Sequence, residues 1–170
     1  MIRRRVRRQT GNAILEFTLV GIPLIFVLIS IFEIARGMWI YHTLAYAVTE
    51  GTRYTVVRGV NCSSPANSCA ASIASIAGVI EYAGVGLMPG QLNLQFTPNS
   101  GAPTSCLLPD CLTNTTTWPP SGANLPGMDV VITASYPFSS AIAMFWPGSG
   151  PGMGLPTVVV PATARERIQF

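Results

Sequence analysis

The apolar and polar positions divide the chain into one long apolar stretch and a mixed remainder. Between Ala13 and Phe32 nearly every residue is apolar, and Glu16 is the one ionisable side chain. About 20 residues rise about 30 Å as a helix, which matches the thickness of the hydrocarbon core of a bilayer. Residues 12–32 are therefore predicted to form a membrane-spanning helix.

The helical pattern continues beyond this span without a proline, so residues 33–58 are predicted to extend the same helix. The span and the extension together, about 47 residues, are predicted to form one rod of about 70 Å. Two neighbouring stripes recur on it at steps of three and four, which places each stripe on one face. The first stripe is Ile34, Met38, Tyr41, Ala45 and Val48, and the second is Gly37, Ile40, Leu44, Ala47 and Gly51. They either pack on the protein's own domain or meet other helices in an assembly, since small residues permit close approach.

Shorter patterns follow in residues 59–170, which are predicted to form one α+β domain. Residues 71–87 show helical periodicity, and residues 91–97, 129–136 and 157–164 alternate in the manner of half-buried strands. Pro161 indicates an edge position for the last strand, because proline cannot donate to a ladder. Residues 98–127 are rich in Pro, Asn, Thr, Ser and Gly and are predicted to be a long loop. The fold expected is a long helix packed on a small antiparallel sheet.

An apolar segment at residues 138–146 leaves two interpretations open. It either folds back into the core, or it exposes Phe145 and Trp146 as a tip for a partner subunit or for the outer membrane leaflet.

Charge gives the direction of the predicted span. Five arginines lie in the first eight residues, and such a cluster holds its side of a span in the cytoplasm. A cleaved signal peptide is the competing interpretation, but its apolar region is usually shorter and ends at a small-residue site. The rest of the chain has five arginines, seven acidic residues and no lysine, which argues against a nucleic-acid surface.

All four cysteines follow the span, in keeping with an oxidising compartment. Cys62 and Cys69 bracket six residues, and Cys106 and Cys111 bracket four, so two local disulfides are favoured among the three possible connectivities. A zinc site is the alternative, but short C-x2-C steps are missing and His42, the single histidine, lies far upstream.

Catalytic chemistry has little support in the sequence, and no enzyme activity is expected. His42 has no neighbouring serine or cysteine, and Glu81, Asp110, Asp129 and Glu166 are scattered. No phosphate-binding loop, dinucleotide fingerprint or metal motif is present. No cofactor, metal or small-molecule substrate is therefore expected.

Residues 8–54 resemble a known family. The segment from Arg8 to Phe17 resembles a type IV prepilin processing site, with a basic leader, a glycine before the cut and a glutamate five residues after it. The continuation resembles the TadE-like pseudopilins of the tight-adherence (Tad, or Flp) pilus. The matching features are Pro23-Leu24, Glu33-Ile34-Ala35-Arg36, Ala47 and Glu50-Gly51-Thr52-Arg53-Tyr54. A weaker resemblance lies at residues 134–138 and 162–165.

This resemblance implies a function in pilus assembly. A membrane prepilin peptidase would cut after Gly11, remove leader residues 1–11 and leave Asn12 as the amino terminus. Glu16 and Phe17 would then serve assembly and recognition. Partners would be other pilins and the inner-membrane assembly platform, and the location would be the inner membrane, with the carboxyl-terminal domain outside. Because the major subunits of this pilus are much shorter chains, the resemblance suggests an accessory role as a minor pilin.

A second hypothesis needs no processing. The chain could instead be a permanently anchored, single-span envelope protein with an extracytoplasmic protein-interaction domain. Glu16 bears on this choice, because an ionised carboxylate in lipid is costly unless it reaches the headgroups, takes a proton or finds a cation.

Overall fold

The computed structural model describes residues 10–59, 70–140 and 157–169. Its first element, α1, runs over Thr10–Val56 as one helix of 47 residues that includes Pro23. The span and its predicted extension are therefore one continuous helix.

Helix α2 (Ile73–Ala83) is shorter than the predicted range of 71–87 at both ends. At its start, the Ser72 and Ser75 side chains each accept a hydrogen bond from the other's backbone N–H, at 3.1 and 2.9 Å. Such a capping box satisfies N–H groups that have no partner within the helix. At its end, the N–H of Gly84 donates to the carbonyl of Ile80. A single 3-10 turn, Pro89–Gln91, then leads to the sheet.

Four strands form one antiparallel sheet in the order β2-β1-β3-β4. They are β1 (Asn93–Pro98), β2 (Thr104–Leu107), β3 (Asp129–Phe138) and β4 (Val158–Arg167). The predicted strands are confirmed, although β3 and β4 run farther than expected. β4 lies at an edge of the sheet, as Pro161 indicated.

The prediction of a long loop over residues 98–127 is wrong. This range contains β2 and a short helix, α3 (Leu108–Thr113). A disulfide between Cys106 and Cys111 joins the two elements, so the predicted local bridge is confirmed. The four residues of β2 are too few to show a periodicity, and β2 forms because β1 offers it a ladder.

The core lies between α1, α2 and one face of the sheet. Alternate residues of β1 and β3 point into it, and the second half of α1 packs against β3, β4 and α2. Its largest fully buried side chains include those of Leu44, Ile76, Ile80, Phe96 and Ile132.

The two stripes on α1 have different environments. In the second stripe, Leu44, Ala47 and Gly51 are buried in the core. The first stripe divides, because Val48 is buried whereas Ile34 and Met38 are 67% and 53% exposed. Packing on the protein's own domain therefore accounts for the second stripe and for only the upper end of the first.

The elements of the domain run up and down alongside α1. A Cβ atom on Gly51 would touch Ile80, and one on Gly86 would lie 3.7 Å from Nε1 of Trp39, so α2 descends as α1 rises. β3 also descends, because its last residue, Phe138, lies against Gly37.

Three predictions concern residues outside the described ranges. They are the arginine cluster of the first eight residues, a bridge between Cys62 and Cys69, and the position of Phe145 and Trp146.

Candidate functional site

The first half of α1 projects from the domain, and no described part of the domain buries its apolar residues. The most apolar 18-residue window of the helix has none of its residues buried, and the helix is long and apolar enough to cross a membrane. Apart from Ile29, which is half-buried, the large apolar side chains from Ile14 to Phe32 are between 48% and 77% exposed. Such a surface is stable in lipid, whereas in water it would be an apolar patch far larger than those of soluble monomers.

The predicted processing and assembly residues all lie in the first turns of α1. Gly11 and Asn12 are helical, and Glu16 and Phe17 follow on the exposed surface, with Phe17 77% exposed. Glu16 forms no ion pair within the described part of the chain.

A second set of contacts fixes the domain to α1 just beyond the apolar segment. The guanidinium of Arg36 lies over the ring of Phe138, 4.8 Å from its centroid, and donates to the carbonyl of Ser139. Arg36 also lies 3.7 Å from the carboxylate of Glu33. These contacts hold the end of β3 at the height of Arg36. No local sequence pattern predicts them, because Arg36 and Ser139 are 103 positions apart.

Between α1 and the end of α2 lies an open, largely apolar groove. Its walls include Trp39, His42, Tyr46, Ala83 and Val85. His42 contacts the ring of Tyr41, with centroids 5.7 Å apart, and no group of three or more metal-ligating side chains occurs among the described residues. The groove presents aromatic surface and no assembled catalytic set.

Two of the scattered carboxylates, those of Asp129 and Glu166, lie in separate ion pairs. Asp129 accepts hydrogen bonds from Arg165 at 2.6 Å and from Arg167 at 3.3 Å, while Glu166 faces Arg53 at 3.8 Å. Residue 166 points to the opposite face of the strand from its neighbours. Asp129 and Glu166 therefore do not form a catalytic pair.

The electrostatics of Asp129 follow from these partners. The hydrogen bond from Arg165, and then the one from Arg167, hold the pKa of Asp129 below its ordinary value. The carboxylate is ionised at neutral pH and tethers the open end of the β3–β4 hairpin.

Comparison with known proteins gives one match, and it falls on α1. The family model described as TadE-like protein matches residues 11–53, about a quarter of the chain. No curated protein and no solved structure matches. The family is a structural, non-enzymatic one. The match confirms the resemblance of the amino-terminal segment, and it begins at Gly11, the predicted last residue of the leader. Residues 11–53 are thus TadE-like, and this family indicates a part in a Tad pilus system.

Proposed function

We propose that the protein is a minor pilin, or pseudopilin, that acts in the assembly of a Tad pilus. Prepilin peptidase cuts after Gly11, and the mature chain begins at Asn12 in the inner membrane, with its domain outside. The observation that carries the proposal is the TadE-like match over a helix whose most apolar stretch has no buried residue.

The leader gives cleavage a physical purpose. Five arginines at the cytoplasmic end resist passage through the bilayer, so their removal permits α1 to move outward. Pro23 removes one backbone hydrogen bond within the apolar segment and loosens it.

Glu16 gives the exposed helix a register in the assembly. Cleavage frees an ammonium group at Asn12, which lies about 6 Å below Glu16 along the helix axis. An ion pair between this ammonium and the Glu16 of a neighbouring pilin satisfies both charges in apolar surroundings. The expected partners are therefore other pilins, the assembly platform in the inner membrane and the peptidase.

The amino-terminal mass of the protein, purified from its own membranes, tests the processing step. We expect a start at Asn12 in the wild-type host and the full leader in a host without prepilin peptidase. Gly11→Leu should retain the leader and abolish piliation, whereas Gly21→Leu, the same change in the apolar segment, should leave cleavage intact. An uncleaved chain in both hosts would instead favour the anchored envelope protein.

Glu16→Gln separates assembly from cleavage. We expect this variant to be cleaved normally and to reduce pilus formation at least about tenfold, which corresponds to the loss of about 1.4 kcal/mol of attraction. Glu81→Gln, an exposed change on α2, serves as the control. Normal piliation by Glu16→Gln would contradict the assembly role.

A further inference from the structure

The exposed apolar side chains of the domain concentrate at one end. Among described residues outside α1, the five most exposed large apolar side chains are Tyr82, Val85, Met88, Val158 and Val159, at 58% to 88%. All five lie on the half of the domain from which the apolar segment leaves, at the end of α2 or beside the end of β3. Such clustering differs from the scattered apolar residues that any surface carries.

Contacts with α1 give the height of these residues. If the hydrocarbon core ends at Phe32, Arg36 lies about 6 Å and Gly37 about 7.5 Å above it. Phe138 touches both positions, and Val158 is its partner in the sheet. The headgroup layer is about 5–8 Å deep on each side of the core. The end of the β3–β4 hairpin therefore lies at headgroup height.

The α2 side of the domain reaches nearly as low. Trp39 lies about 10 Å above Phe32, and its side chain leans toward the start of the helix, as helical side chains do. Val85 lines the same groove as Trp39. Met88 lies higher, because its N–H donates to the hydroxyl of Tyr136, which is two residues above Phe138 on β3. Tyr82 lies higher, because it shares its part of the groove with Glu50.

Charge is distributed in the opposite sense. The charged residues of the hairpin are Asp129, Arg165, Glu166 and Arg167, and all lie at its far end, where Glu166 meets Arg53. At the near end, Arg36 pairs with Glu33 and contacts Phe138, and its 48% exposed side chain lies at the height of lipid phosphates. This polarity along α1 is what a surface resting on a bilayer requires.

We propose that Trp39, Val85, Val158 and Val159, here called the apolar end, rest in the headgroup layer of the bilayer that α1 crosses. The occupant of this surface is lipid, and Arg36 meets its phosphates. The domain is therefore docked on the membrane before it enters any assembly. This inference rests on the membrane anchorage in the proposed function, but not on cleavage at Gly11.

Site-specific probes test the contact in the full chain. Val158→Cys, Val85→Cys and the control Val57→Cys, at the far end of α1, are each labelled with an environment-sensitive iodoacetamide dye in phosphatidylcholine and phosphatidylglycerol vesicles. The disulfide-bonded Cys106 and Cys111 do not react, and labelling of the unsubstituted chain gives the background. The quenchers are aqueous iodide and a phosphatidylcholine with a nitroxide near the headgroup.

We expect the probes at residues 158 and 85 to be quenched at least about twofold more by the nitroxide lipid, and about twofold less by iodide, than the probe at residue 57. Equal quenching of all three overturns the proposal. Protection from iodide could also disappear when the chain is diluted to one copy per vesicle. That result would assign the surface to a second copy of the chain and would overturn the proposal.

Flotation of the same vesicles separates this inference from the proposed function. A chain that floats after carbonate washing but has water-exposed probes at residues 158 and 85 is anchored without a docked domain, so only the docking fails. A chain that does not float overturns the anchorage and the docking together.

Discussion

Gly51 allows α1 and α2 to approach closely in the core. A Cβ atom at this position would lie 2.6 Å from Cγ1 and 2.9 Å from Cδ1 of Ile80, a side chain with no exposed surface. Ile80 cannot move aside without displacing other core residues, because protein interiors are close-packed. Gly78 offers a contrast on α2, since a Cβ there would meet nothing within 4 Å.

Alanine at these two positions should therefore have different effects. Both changes gain the same helix propensity, so their difference isolates the overpacking at Gly51. We expect Gly51→Ala to have a free energy of unfolding about 1–3 kcal/mol below that of Gly78→Ala. Denaturant titration of the full chain in detergent gives both values. Equal stabilities would show that the helices separate freely.

Asp129 makes stability depend on pH. Because its pKa is lowered in the folded protein by Arg165 and then Arg167, its contribution is present above the ordinary aspartate pKa of about 4. That contribution is lost as the pH falls through the lowered folded-state pKa. Asp129→Asn should thus lower the unfolding temperature at pH 7, and the difference from wild type should shrink as the pH falls below the ordinary aspartate pKa of about 4. A difference that is constant with pH would contradict this assignment.

At the scale of elements, the Cys106–Cys111 bridge stabilises two elements that are weak by themselves. β2 has four residues and α3 has six, and the bridge spans their junction. The double variant Cys106→Ala/Cys111→Ala should lose about 2 kcal/mol of unfolding free energy, as expected for a short closed loop. Denaturation without reductant measures this loss. Unchanged stability would mean that β1 and α2 hold this region without the bridge.

The predicted elements show which kinds of secondary structure a sequence pattern can predict. β3 was predictable because Val130, Ile132, Ala134 and Tyr136 recur at every second position, and the structure buries these four side chains. α2 was predictable from its apolar period, but its bounds depended on the Ser72 cap and on Gly84. β2 was not predictable, because four residues are too few to show an alternation of buried and exposed positions. It is a strand only because it pairs with β1.

At the scale of the whole molecule, α1 belongs to two environments. Its first half is exposed, and its second half supplies Leu44, Ala47, Val48 and Val56 to the domain core. The division into a helical extension at 33–58 and a domain at 59–170 stays a prediction of the sequence. In packing terms, the extension contributes to the same core as the domain.

Two shortened chains test this dependence. A chain that begins at residue 33 retains the core helix and should fold without detergent, with cooperative thermal unfolding. A chain that begins at residue 59 leaves the inner faces of α2 and the sheet uncovered, and should fail to fold, since each large buried side chain lost costs about 2–5 kcal/mol. Circular dichroism with temperature distinguishes the two. Cooperative unfolding of the shorter chain would refute the shared core.

The sequence by itself determined the apolar helix, its continuation, the main strands and the TadE-like segment. Those features depend on local composition and on periods of two or about 3.6 residues, which the chain carries without its fold. The tertiary structure decided which stripe of α1 is buried, how β2 pairs and where the exposed apolar residues gather. These features depend on contacts between distant residues, such as Arg36 and the carbonyl of Ser139, which are 103 positions apart. No local pattern encodes such a contact, because it forms only when the sheet packs on the helix.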